Sequence, residues 1–165
     1  MILYFVRHGR AVKDDSSGDY ARPLADEGVA ALRAAAPVWQ RLNLRPDVVL
    51  SSPLPRALES ARLLVEGLRL RGAPVVDDRL APGADWGDLA RAMSAYPEAR
   101  RVAFVGHEPD LSSAVELLTG AASVRLRTGG IACVEFPGTP EPDAGELAWL
   151  LDPDLYVSAA ESKLG

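Results

Sequence analysis

Five apolar residues, Ile2-Leu3-Tyr4-Phe5-Val6, pass within one residue into Arg7-His8-Gly9, and this switch constrains the fold more than any other stretch of the chain. A short run of β-branched, aromatic and leucine residues predicts a buried strand, so the cation, the imidazole and the glycine stand at a strand's C-terminal end. The arrangement recurs at Val102-Ala103-Phe104-Val105-Gly106-His107. The chain has 2 histidines, and both stand just past an apolar run and touch a glycine. In an open α/β sheet the carboxyl ends of the strands are where ligands bind, which places both imidazoles where chemistry is expected.

The intervening segments read as the helices and loops of such a sheet. Residues 10–22, polar and rich in Asp and Ser, form a loop beside the first histidine, with Asp14-Asp15-Ser16-Ser17 as a solvated cluster. Pro23-Leu24-Ala25-Asp26-Glu27 opens a helix that places Val29, Leu32, Ala36, Trp39 and Leu42 at helical spacing, and Pro37 is expected to kink or divide it. Asp47-Val48-Val49-Leu50 is a second strand. Ser52 is the expected N-cap of the next helix, with Pro53 at its first position and Ala57, Ala61, Leu64, Val65 and Leu68 as one apolar stripe. That puts Arg56 in a first helical turn, where the dipole already favours an anion, so a bound anion is expected there. A short strand at 74–76, a loop at 80–86 holding Asp85, and a helix at 88–95 follow. After the strand at 101–105, Glu108-Pro109-Asp110-Leu111 starts a helix closed by Gly120. Two final strands, 131–136 and 146–151, are expected to pair as an edge hairpin, and the tail from Asp152 reads as a loop or short helix. Strands alternating with helices predict a three-layer α/β/α sandwich around a mostly parallel central sheet, formed by one domain over residues 1–165.

The net charge of −5, from 18 basic and 23 acidic residues, argues against nucleic acid or an anionic membrane as the main partner, so any anion site is local. The first apolar run is too short for a signal-peptide core and no later stretch approaches a membrane span; a cytoplasmic location is expected. The single cysteine, Cys133, lies inside a predicted strand and reads as a packing residue. Trp39, Trp86 and Trp149 read as core or rim packing, Trp86 with the option of lining a pocket mouth.

If the strand ends converge, two arginines, two imidazoles and a helix N-terminus share one rim. Arginine's planar fork matches phosphate oxygens, and a neutral imidazole is a competent nucleophile towards phosphorus, so His8 can attack a phosphoryl group gripped by Arg7, Arg56 and His107. A metal held by the two histidines with Asp85 or Glu108 is the rival arrangement, but nearby guanidiniums repel a cation. Arg7-His8-Gly9 after an N-terminal strand, the arginine of Ser52-Pro53-Leu54-Pro55-Arg56-Ala57, and Gly106-His107 after a late strand resemble the histidine phosphatase, or phosphoglycerate mutase-like, superfamily. The short chain, Arg22-Pro23-Leu24 ahead of the first helix and Gly106-His107-Glu108-Pro109-Asp110-Leu111 resemble its compact SixA branch of phosphohistidine phosphatases.

The resemblance spans Ile2 to Leu151 and implies a phosphoglycerate mutase-like fold and a phosphatase. In it His8 becomes phosphohistidine, Arg7, Arg56 and His107 hold the phosphoryl group, Arg22 assists, and no metal or other cofactor is required. A phosphorylated protein carrying phosphohistidine is the implied partner, with a small phosphate ester as the alternative; the oligomeric state is not fixed by the sequence. For the general acid, Asp85 lies in a loop comparable to the one used by larger members, and Glu108 directly follows His107 as in the acid-phosphatase branch. A non-catalytic phosphate-binding module is the rival from another class. The short chain leaves little material for a lid, so an open pocket is expected.

Overall fold

The computed structural model describes residues 1–13 and 18–153; the 14–17 cluster and the tail beyond 153 lie outside the described residues. Six strands make one sheet: β1 (Ile2–Arg7), β2 (Val48–Ser51), β3 (Val75–Val76), β4 (Arg101–Gly106), β5 (Ile131–Glu135) and β6 (Glu146–Leu151). Their order is β3-β2-β4-β1-β5-β6. The first four neighbours are parallel, while β5 runs antiparallel to β1 and pairs with β6 as the expected hairpin. β1 and β4 sit at the centre, and their register pairs Arg7 with Gly106. The two histidines therefore leave neighbouring parallel strands at the same level.

Alternation along β1 divides the core in two, because successive side chains of a strand point to opposite faces. Leu3 and Phe5 pack with Phe104 under α3 (Trp86–Met93) and α4 (Asp110–Thr119). Tyr4 and Val6 pack under α1 (Asp26–Arg41) and α2 (Pro55–Leu68) with Leu32, Trp39, Ala61 and Leu64. Two helices thus cover each face, giving the expected α/β/α sandwich with a sheet parallel in its larger part. No helix among the described residues is long and apolar enough to cross a membrane. Trp39 is buried, Trp149 packs against Tyr4 with ring centroids 6.2 Å apart, and Trp86 packs half-buried against the α3/α4 core. Cys133 is buried, and burial pushes its thiol up to about 12, which leaves it a packing residue.

Three local expectations need correction. Helix α1 continues through Pro37 undivided, since Leu32, Ala35 and Trp39 bury the same face on both sides of it and offset the lost hydrogen bond. Helix α2 begins two residues later than Ser52 and Pro53 suggested: Leu54 is its N-cap and Pro55 its first residue, an equally favourable place for proline. Helix α3 starts at Trp86, because Asp85 caps it; its side chain accepts from Asp88 N at 2.9 Å while Asp88 Oδ2 accepts from Asp85 N at 3.2 Å.

Candidate active site

Backbone bonds fix the rim before any side chain contributes. His8 N donates to Gly106 O at 3.1 Å and its carbonyl accepts from Gly129 N at 3.0 Å, which ties the end of β1 to β4 and to the loop before β5. Gly9 turns away under α1, where a Cβ would meet Leu32 Cδ1 at 2.8 Å, so the third position of Arg-His-Gly admits no side chain without repacking. Its N–H donates to Ser60 Oγ at 2.9 Å, and that hydroxyl donates to Arg56 O at 2.7 Å. Ser60 thereby couples the first turn of α2 to the end of β1.

His8 sits half-buried with Nδ1 2.7 Å from Gly9 O. A carbonyl only accepts, so Nδ1 carries the proton and Nε2 keeps its lone pair. Nε2 accepts from Arg56 Nε at 3.3 Å. The second imidazole, of buried His107, lies 5.2 Å from the first, centroid to centroid, and its Nε2 shares a hydrogen bond with Ser52 Oγ at 2.8 Å. Ser52, expected as a helix cap, is instead the residue that orients His107. Burial, reinforced by the Arg56, Arg7 and Arg22 charges, holds His8 down at about 4; burial, His8 and Arg56 hold His107 at about 3. Both imidazoles are accordingly neutral at pH 7, and His8 presents an uncharged nucleophilic nitrogen. These being the chain's 2 histidines, their ring resonances can be followed directly by NMR. Both should titrate well below the usual value of about 6.5, and inorganic phosphate should move them upward, because a bound anion favours imidazolium. Midpoints near the ordinary value in the free protein would contradict the burial described here.

The guanidiniums are arranged around this pair. Arg56, buried in the first turn of α2, also donates from Nη1 to Asp19 O at 2.7 Å and from Nη2 to Asp19 Oδ2 at 3.2 Å. The other oxygen of Asp19 is ion-paired to Arg22, whose Nη1 donates to Val12 O at 2.9 Å. Arg22 is thus drawn to the site through Asp19, whose carboxyl is lowered chiefly by that bond to Arg22. Arg7, on the opposite side of β1 from His8, donates from Nη1 to Leu126 O at 2.9 Å, and burial lowers its guanidinium. Glu108 is beside it electrostatically: its Oε2 accepts from Ser112 Oγ at 2.6 Å, its Oε1 is shielded and has no hydrogen-bond partner among the described residues, and burial raises its carboxyl. Asp85, by contrast, is engaged in capping α3.

His8, Arg56 and His107 therefore meet, Arg7 and Glu108 adjoin them from the other sheet face, and Arg22 joins at one remove. Asp19 and Ser60 escaped the sequence reading. The i, i+3 spacing of Asp19 to Arg22 was the available signal for the first; Ser60 carried none, since its hydroxyl works across 51 residues.

Residues 3–114 match the family described as "Histidine phosphatase superfamily (branch 1)". A protein of Picosynechococcus with no assigned function is 36% identical over 122 residues, spanning 72% of this chain and 73% of its own. The structure of the protein histidine phosphatase SixA complexed with tungstate superimposes with a TM-score of 0.82 at 26% identity, covering 94% of this chain and 99% of that one. A SixA-type structure from Agrobacterium tumefaciens shares the fold, with a TM-score of 0.77 at 23% identity over 92% of this chain and 97% of its own. So does a mycobacterial glucosyl-3-phosphoglycerate phosphatase, at 0.67 and 19% over 92% and 99%. The chain is an enzyme of the histidine phosphatase superfamily, branch 1, in its SixA-type group.

Proposed function

We propose that the protein removes phosphoryl groups from phosphohistidine side chains of proteins, by way of a covalent phosphohistidine on His8. The observation that carries the reading is the tautomer of His8: Nδ1–H is committed to Gly9 O, and the lone pair of Nε2 is met by a long 3.3 Å bond from Arg56 Nε, which an incoming phosphoryl group can take over. In the first step Nε2 attacks phosphorus in line, the new N–P bond forms and the bond to the leaving group breaks, while Arg7, Arg56 and His107 hold the equatorial oxygens. In the second, water attacks the phosphoenzyme, the His8 N–P bond breaks and phosphate departs. Asp19 occupies two of the N–H groups of Arg56, so the phosphoryl group takes its place as it binds.

Support for a protein substrate comes from the correspondence with the compact SixA phosphatase over 94% of this chain and 99% of that one, and from the half-exposed position of His8. A second reading, a small-molecule phosphomonoesterase, is favoured by Glu108, a half-buried carboxyl raised by its surroundings and hence suited to give a proton to an alkoxide. The test is mass spectrometry of protein quenched in alkali during turnover of a phosphohistidine peptide and, separately, of a generic phosphate ester. One phosphoryl group mapped to His8 with the peptide is the expected result. Phosphate release without an adduct would overturn the covalent route, and an adduct from the ester alone would transfer the assignment to the second reading.

A further inference from the structure

A cavity of about 560 Å³ opens beside the phosphoryl site with Arg7 in its wall. Arg10, Arg125 and Arg127 line it together with Glu27 and Asp152, against the first turns of α1. Four guanidiniums against two carboxylates is a local cationic excess on a chain whose net charge is −5. Both carboxylates are already engaged: Glu27 Oε2 accepts from Arg10 at 2.8 Å, and Asp152 Oδ2 from Arg127 at 3.1 Å. Of the remaining two arginines neither is ion-paired among the described residues, although the charge of Glu108 acts on Arg7. Neither Arg125 nor the shielded Nε of Arg7, whose Nη1 donates to a carbonyl, has a hydrogen-bond or ion-pair partner among the described residues. The two also repel each other, for the charge of Arg125 opposes that of Arg7.

This juxtaposition is built into the backbone. Leu126 is buried, its N–H donates to Ser112 Oγ at 3.1 Å and its carbonyl takes the Arg7 bond, so Arg125 and Arg127 on either side of it are held facing outward. Three residues on, Gly129 N donates to His8 O. The segment that carries the two arginines is therefore anchored to the end of β1 at Leu126 and again at Gly129.

We infer that this cavity is a recognition site for an acidic group of the substrate, carried on the polypeptide one to three residues from its phosphohistidine, with Arg125 as the specificity-determining contact. The inference rests on the protein-phosphohistidine reading. A chain entering with its phosphoryl group between His8 and Arg7 advances about 3.3–3.6 Å per extended residue, so a neighbouring Asp or Glu falls alongside Arg7, where it neutralises the repulsion between Arg7 and Arg125. Such a contact selects among phosphohistidine proteins without touching the reacting atoms.

The experiment compares two phosphohistidine peptides that differ only in flanking acids replaced by their amides. Wild type should favour the acidic peptide by about tenfold in kcat/KM, Arg125→Ser should erase most of that preference, and Arg125→Glu should reverse it in favour of a peptide with flanking Lys. Equal turnover of the two peptides by wild type, or a wild-type preference surviving in Arg125→Glu, would overturn the inference. If neither peptide is a substrate, the protein-phosphohistidine reading fails while the cavity is still read by an ester pair, phosphoglycerate against glycerol phosphate. A preference for the carboxylate-bearing ester that Arg125→Glu removes would then keep the acid-recognition role with a small substrate as its source, and no preference would overturn it.

Discussion

His8→Ala should lower turnover by on the order of 10⁴-fold or more and leave oxyanion binding largely in place. The size follows from what the residue supplies. In the proposed reaction Nε2 is the atom that forms the new bond, and among the described residues neither the other imidazole nor the thiol can replace it: His107 is buried with its Nε2 engaged by Ser52, and Cys133 is buried in the core with its thiol pushed up to about 12. Binding, in contrast, resides in groups the substitution keeps. Arg56 is held by Asp19 and by its place in α2, and Arg7 by Leu126 O. Removing the ring also relieves a half-buried group whose neutral state was enforced by burial, so the variant should fold. The measurement pairs steady-state rates with thermal melting in the presence and absence of inorganic phosphate. Lost turnover with a retained phosphate-induced rise in Tm is the expected pattern. Lost turnover and lost stabilisation together would mean that His8 organises the pocket instead of reacting in it, and retained turnover would remove it from the mechanism. A module that only binds phosphate would show no turnover in wild type to begin with.

The centre of the candidate site is marked in the sequence because each of its parts is local. A strand end, a glycine that must pass under α1, and an arginine in a first helical turn are all marked by neighbours in the chain, and the parallel pairing of β1 with β4 then brings Arg7-His8 and His107 level. Most of the helices and all six strands were legible for the same reason, as alternations of apolar and polar residues. What escaped depends on partners far away in sequence. Ser52 looked like a cap because Ser-Pro is a common helix opening, yet the fold gives its hydroxyl to His107, 55 residues on. Pro37 looked like a break because propensity speaks only of the helix itself, whereas the buried Leu32, Ala35 and Trp39 settle its fate. Asp19 lay in a polar loop where only its i, i+3 spacing to Arg22 marked it, and its bond from Arg56 of α2 spans 37 residues.

Glu108→Gln should separate the two candidate substrate classes and, with them, the two candidate acids. An alkoxide departing from phosphorus needs a proton in the transition state, whereas imidazole departing from phosphohistidine is a good leaving group unaided, so the cost of losing a general acid depends on what leaves. Ester hydrolysis should fall by about 10²-fold or more in Glu108→Gln, and the loss should shrink steadily along a series of esters whose alcohols are increasingly acidic. Turnover of a phosphohistidine peptide should change by less than about threefold. The substitution is conservative for the fold, because the Gln carbonyl can still accept from Ser112 Oγ as Oε2 does, and what it removes is a carboxyl whose hold on its proton burial strengthens. Asp85→Asn is the matching variant. Its carboxylate accepts from Asp88 N in the capping box of α3, a task that asparagine performs nearly as well, so ester turnover should hold within about twofold. A flat leaving-group dependence in wild type and in both variants would mean that the site works without a side-chain acid, which would leave phosphohistidine as the leaving-group chemistry it handles best. A collapse of ester turnover in Asp85→Asn with Glu108→Gln intact would move the acid to the loop before α3, and leave Glu108 as the carboxyl that offsets the charge of Arg7.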